Sequence, residues 1–179
     1  MEPIPRHTLI EYREGSVSAF EYILSTYEKA IYNYCLRIVR DSTHAKDITQ
    51  DTFIKVYTNR TKIDPDKNIK SWIFTIATNT AYDFLRSPKG RKSINLEEED
   101  ETFYAHSTYT SKEGLVTDVN VALDTIKLDY KKPILLYYKE GFSYQEIADI
   151  LSLPINTIKT HISRGKEQLK NILKNYGTN

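Results

Sequence analysis

The chain has one cysteine, Cys35, so it has no partner for an internal disulfide and cannot form a cysteine-rich zinc site. The four histidines, His7, His44, His106 and His161, fall at no metal-binding spacing, and no metal or cofactor is expected. No Ser/His/Asp set and no glycine-rich phosphate loop is present, so an enzyme is not expected either. No apolar run approaches the ~18 residues of a membrane helix and there is no signal peptide, which predicts a cytosolic protein. Internal repeats are absent, and the net charge of +1 excludes a general polycation. What remains, 179 residues with 40% apolar and 27% charged side chains, is an ordinary soluble composition with room for one domain or two small ones.

The charge is segregated. Between positions 60 and 92 stand eight Lys/Arg and three Asp, whereas positions 93–120 hold seven acids and one lysine. From Ile155 to the end there are five Lys/Arg and one acid, Glu167. Two basic blocks separated by an acidic one point to two surfaces facing nucleic acid.

The segment from Ser143 to Lys170 predicts two helices joined by a tight turn. Ser143 and Glu146 stand at capping-box spacing, with Ile147, Ala148 and Leu151 on one face. Ser152, Leu153 and Pro154 break that helix, and Asn156 or Thr157 is placed to cap the next. The second helix sets Ile158, Ile162, Gly165 and Leu169 on one face, with Lys159, Thr160, Ser163, Arg164 and Lys166 opposite. A third helix, Asp129 to Tyr138, is needed to cover the shared core, through Ile134, Leu135, Leu136 and Tyr138. A helix-turn-helix sends its second helix into the DNA major groove, and this outer face carries the donors for that task.

The first half is helical throughout. A short helix over Thr8–Arg13 stops at Gly15, and Ser16 or Ser18 caps a long one with Phe20, Ile23, Leu24, Tyr27, Ile31, Tyr34 and Ile38 as its core stripe. Cys35 beside that stripe reads as a buried small hydrophobe. A helix over Thr43–Asn59 turns Ala45, Ile48, Thr52, Phe53 and Val56 inward, leaving Asp47, Gln50, Asp51 and Lys55 outside. After the loop RTKIDPDKN, a further helix packs Ile69, Trp72, Ile73, Ile76, Ala77, Thr80, Phe84 and Leu85 and shows Lys70, Ser71, Thr75, Asn79, Asp83 and Arg86 on its other side. It ends near Ser87-Pro88. Positions 93–120, acidic and poor in large apolar residues, read as a linker with a helical turn near Glu113.

These motifs resemble a known family. EGFSYQEIADILSLPINTIKTHISRGKEQLK is similar to region 4 of bacterial sigma factors, above all those of the extracytoplasmic-function (ECF) group, with departures at Ser152, Asn156, His161 and Gly165. Ala45, Asp47, Gln50, Asp51, Thr52 and Phe53 fit the region 2 signature A-x-D-x-x-Q-[ED]-[TA]-F. SWIFTIATNTAYDFLR is similar to the later part of region 2. The resemblance covers Ala19–Lys92 and about Asp124–Leu173, in the family's order.

It implies an all-α protein of two small helical domains, a region 2 bundle over 1–92 and a region 4 helix-turn-helix over 121–179, joined by a flexible acidic linker over 93–120. It also implies binding to core RNA polymerase, at the β′ clamp helices and the β flap, and recognition of promoter DNA, with an anti-sigma factor as a further partner. By position, Asp47, Gln50, Asp51 and Lys55 would meet polymerase. Lys62, Lys67, Lys70, Ser71, Asn79, Asp83 and Arg86 would meet the −10 strand. Asn156, Thr157, Lys159, Thr160, His161, Ser163, Arg164 and Lys166 would meet the −35 duplex, with His161, in place of a common Arg, removing one phosphate contact.

Two other readings stay open at this stage. The helix-turn-helix signature is shared, more weakly, with response-regulator output domains, so the chain could be an activator that binds DNA without core polymerase; that reading needs an α/β receiver half. An RNA-binding or nuclease module using the basic face of 60–92 is the third.

Overall fold

The computed structural model describes residues 3–93 and 114–176, which form two compact helical units. All regular structure among the described residues is helical. No helix among them is long and apolar enough to cross a membrane.

The first unit consists of α1 (Arg6–Glu14), α2 (Val17–Val39), α3 (Ser42–Thr58), a 3-10 turn (Arg60–Lys62), α4 (Ile69–Arg86) and α5 (Pro88–Ser93). Gly15 ends α1 with φ +101°, a left-handed conformation that glycine adopts without steric cost. One residue later the Ser16 side chain accepts the amide of Ala19 and starts α2. α2 packs against α1, α3 and α4. Its stripe is covered as the spacing predicts, with Ile23, Tyr27, Ile31, Tyr34 and Ile38 buried and Phe20 and Leu24 half-buried at one edge. Removing such a side chain from water stabilises the fold by about 1.5–3 kcal/mol. Three hydroxyls of the core are paired: Tyr12 donates to the Val56 carbonyl at 2.6 Å, and the hydroxyls of Tyr34 and Thr78 meet at 3.0 Å. Cys35 is fully buried, and burial pushes its thiol up to about 12.

α3 is capped by Asp41, which accepts the amide of His44. α4 buries more than the sequence stripe assigns. Phe74 and Ala81 are fully enclosed because α2 and α3 cover the helix from two directions, while Trp72, Ile76, Phe84 and Leu85 are only half-buried at the margin.

The second unit consists of α6 (Gly114–Thr125), α7 (Leu128–Tyr138), α8 (Tyr144–Leu151) and α9 (Ile155–Tyr176). α6 occupies the last residues of the stretch read as linker and runs past 120, while positions 94–113 lie outside the described residues. α7 buries Ile134, Leu135 and Leu136, but Tyr138, expected in the core, is 55% exposed because it sits in the last turn beyond the packed segment. Lys131 is buried instead, held by Asp124 of α6 at 2.6 Å. Ser143 and Glu146 form the full capping box at the start of α8. Ser152 turns the chain with φ +53°, where a glycine would carry no Cβ penalty.

α9 starts earlier than either proposed cap. The Pro154 carbonyl accepts the amides of Thr157 and Ile158, which places Asn156 and Thr157 inside the first helical turn. Gly165 is where α9 meets α7: a Cβ there would stand 2.5 Å from Ile134 Cδ1 and 3.0 Å from Tyr130 Cβ.

Candidate nucleic-acid and polymerase interface

The outer surface of α3 has two flanks of different chemistry. Toward α4, Asp47, Gln50, Asp51 and Lys55 line one cleft of about 420 Å³ together with Thr80, Asp83, Phe84 and Lys89. All four residues that the resemblance places at polymerase thus share a polar recess, and Asp47, Gln50, Asp51 and Lys55 are each exposed at its rim. Within it Lys55 Nζ donates to Thr80 Oγ1 at 3.1 Å, so this ammonium is committed to α4. Toward α2, Gln50 instead borders an apolar groove of about 810 Å³ lined by Phe20, Leu24, Tyr32, Phe53, Ile54 and Tyr57 among others. Ile54, 53% exposed, stands beside Gln50 as an uncovered apolar side chain. A row of carboxylates and an amide edged by apolar surface suits a basic, arginine-bearing partner helix.

α4 presents Asn79, Asp83 and Arg86, all exposed, at i, i+4 and i+7, which is one helix face. The Arg86 guanidinium lies 4.4 Å above the Tyr82 ring, which orients its donors. Lys70 and Ser71 stand less free than the helical spacing predicts. Both are half-buried; the Lys70 ammonium lies 5.7 Å from the centre of the Phe74 ring, and Ser71 Oγ is buried. Their place in the first turn of α4, just below the loop, explains this. Lys62 and Lys67 are exposed on that loop, where Lys62 donates to Asn59 and Lys67 lies 3.7 Å from Asp64.

The loop is built from its own polar groups. The Asp64 side chain accepts the amide of Asp66, the Asp64 carbonyl accepts that of Lys67, and Asn68 caps α4 by accepting the amide of Lys70. Amide and guanidinium donors on a helix, joined to a basic loop, have the composition of a single-strand-binding surface.

In the second unit, Ile158, Ile162 and Gly165 are buried against the rest of the unit and Asn156, Lys159, Thr160, Ser163, Arg164 and Lys166 are exposed. Two members of the predicted set differ. His161 is half-buried with its ring edge-on to Tyr130, the centroids 5.3 Å apart. It lies three residues after Ile158 and four before Gly165, so it belongs to the margin of the packed row. Thr157, four residues before His161, is half-buried on the same side. Thr160 Oγ1 also donates back to the Asn156 carbonyl at 2.9 Å, which leaves its lone pairs outward. The helix-turn-helix therefore offers two cationic side chains and an amide in its first three turns, in the arrangement suited to base edges and phosphates.

Three side chains that complete these surfaces carry no site role in the sequence reading: Thr80, read there only as part of the packed stripe, which anchors Lys55; Tyr82, which carries Arg86; and Lys89, which closes the polar cleft. The helical stripe placed Thr80 inside and the basic block included Lys89, but neither pattern pointed to the cleft.

Comparison with known proteins bears on the family and the fold. Residues 23–91 match the family model for Sigma-70 region 2, and residues 118–169 that for Sigma-70, region 4. The ECF RNA polymerase sigma factor SigW of Bacillus subtilis (strain 168) is 30% identical, over 97% of this chain and 99% of its own. The RNA polymerase sigma factor CarQ of Myxococcus xanthus is 26% identical, over 90% of this chain and 93% of its own. Among solved structures, the sigma factor RpoE from Bartonella quintana, in complex with the anti-sigma factor NepR, superposes with a TM-score of 0.71 at 27% identity, covering 88% of this chain and 98% of RpoE. CnrH, in complex with the cytosolic domain of CnrY, shares the fold with a TM-score of 0.70 at 19% identity. The chain belongs to the extracytoplasmic-function group of the sigma-70 family of RNA polymerase sigma factors.

Proposed function

We propose that the α3 face, through Asp47, Gln50 and Asp51, docks on core RNA polymerase. The α4 face with the 59–68 loop then holds the opened −10 strand, and α9 reads the −35 duplex. The observation that carries this assignment is the division of labour on one chain. α3 exposes acceptors, α4 exposes Asn79, Asp83 and Arg86, and α9 exposes Lys159, Arg164 and Lys166 from a helix-turn-helix.

In this reading Lys55 acts from behind, holding α4 against α3, and His161 supports α9 through Tyr130 instead of meeting phosphate. The chain contributes binding and orientation and no covalent chemistry, and works in the cytosol. By likeness to RpoE with NepR, it also takes an anti-sigma partner.

Gel filtration of the full chain with core polymerase tests the reading. Co-elution that is lost in Asp51→Arg supports it. A chain that elutes apart from core, yet binds duplex DNA specifically, would instead be an activator; one that binds RNA alone would be neither.

A further inference from the structure

α1 precedes the residues matched by the region 2 family model, which begins at position 23, yet it touches the loop that leads into α4. Three sets of contacts tie them. At the loop's entrance, Tyr12 is fully buried and donates to the Val56 carbonyl at 2.6 Å, fixing α1 on the last turns of α3. Next along, α1 packs on the Arg60–Lys62 turn. There the Arg60 guanidinium stacks 4.7 Å from the Tyr57 ring centre and donates to the Tyr57 carbonyl at 3.2 Å, and a Cβ on Gly15 would stand 3.6 Å from Arg60 Nε. At the far side of the loop, Arg6 Nε donates to Asp66 Oδ1 at 2.7 Å and Arg6 Nη2 to Asp66 Oδ2 at 3.3 Å. The two parallel bonds use both oxygens of the carboxylate, a geometry that fixes orientation as well as distance.

We propose that α1 is a splint for the 59–68 loop, and that Arg6 is a positioning residue which, through Asp66, presets the loop for the displaced promoter strand. This rests on the strand-binding reading given above. The loop already has an inner scaffold in the Asp64 turn, but all of those bonds are local and move with it. Ile63, buried in the core, anchors the first half of the loop, and Arg6–Asp66, spanning 60 positions, ties its second half to α1 from outside. A loop held in its bound conformation loses less freedom on binding, and that gain appears in strand affinity and base discrimination, with polymerase docking untouched. Asp66 has a further consequence. Its carboxylate would repel a phosphate, and pairing with Arg6 cancels that charge beside Lys67.

The test is a charge swap in holoenzyme. DNA forks bound by holoenzyme carrying the natural chain are first selected from a pool randomised over the −10 segment. The selected fork and a scrambled one are then titrated with Arg6→Glu, Asp66→Arg and the double variant Arg6→Glu/Asp66→Arg, alongside core affinity and thermal unfolding. Because the pair is exposed, each single variant should fold and bind core as the natural chain does. Each should lose about two- to fivefold in preference for the selected fork, the scale of an exposed pair in good geometry. The double variant should regain the preference, and the contrast should shrink as salt is raised.

Single variants that match the natural chain, or a double variant no better than the weaker single, would overturn the proposal while leaving the proposed function standing. A natural chain that forms no holoenzyme would overturn both.

Discussion

Lys55 and Thr80 join the two working helices of the first unit. The Lys55 ammonium donates to Thr80 Oγ1 at 3.1 Å, and that hydroxyl in turn donates a hydrogen bond to the Ile76 carbonyl at 2.8 Å. The bond sets the Lys55 ammonium in the same cleft as Asp47, Asp51 and Asp83.

Asp51→Arg should weaken binding to core polymerase by several kcal/mol, because a cation then faces a basic partner surface. Asp51 is exposed, so folding stability should change by no more than about 0.5 kcal/mol. Lys55→Met should reverse the emphasis, with a stability loss of about 0.5–1.5 kcal/mol for the missing bond and a smaller effect on docking. A pull-down against core with parallel urea titrations checks both. Equal core affinity for Asp51→Arg and the natural chain would remove α3 from the interface.

Arg164 and Lys166 separate base reading from phosphate holding. Both are exposed on α9. With duplexes varied over the −35 segment and bound by holoenzyme, Arg164→Ala should cost about 1–3 kcal/mol and relax preference at one position. Lys166→Ala should weaken all duplexes alike and lower the salt dependence. A uniform loss for Arg164→Ala would contradict its place at a base edge.

The second unit depends on a buried ion pair. Lys131 is 2% exposed and Asp124 holds it at 2.6 Å, joining α6 to α7. Asp124→Ala leaves that ammonium without its carboxylate and should destabilise the unit by about 3–5 kcal/mol. Lys132, whose partner Asp129 is largely exposed, should matter far less when that partner is removed. Denaturant titration followed by circular dichroism reads both, and a small loss for Asp124→Ala would contradict the anchoring role.

Much of this was legible in the sequence, and the exceptions share a cause. The stripe of α2, the Ser143–Glu146 capping box and the exposed row on α3 are one-helix patterns, which periodicity and local spacing specify. Phe74 escaped because it follows Ile73 off the stripe, and only the arrival of α2 and α3 from two directions covers both. His161 escaped for the same reason, since its burial is set by Tyr130 on another helix. Lys131 broke the expectation that lysines face water because its carboxylate lies on α6, seven positions away. The start of α9 moved because the Pro154 carbonyl, with no side-chain cap signature, accepts its first amides. Clefts between helices, and with them the roles of Thr80 and Lys89, cannot be read from a linear pattern.

Cys35 offers a pH-dependent check on the core of the first unit. Burial pushes its thiol up to about 12, against a hydrogen bond with Thr49 that pulls the other way. In the unfolded chain the thiol titrates near 8.5. The stability gained by keeping it neutral is therefore full below about pH 8.5 and is lost as pH rises through about 12. At pH 8 a thiol-specific disulfide reagent should leave the native chain unlabelled and label one group in denaturant. Native labelling at the unfolded rate would contradict the packing around α2.

The central claim is that promoter specificity belongs to the assembly with polymerase and not to the free chain. The surfaces assigned to the −10 and −35 elements lie on two separate compact units of the chain. Two promoter elements about two helical turns apart stand about 70 Å from one another. A second contact adds affinity only when both surfaces are held at that separation, which is the task assigned here to core polymerase. Fluorescence anisotropy with a selected −35/−10 duplex, at physiological salt, decides the matter. The account predicts weak, sequence-independent binding by the chain alone and specific binding once core polymerase is added; tight, sequence-specific binding by the chain alone would contradict it.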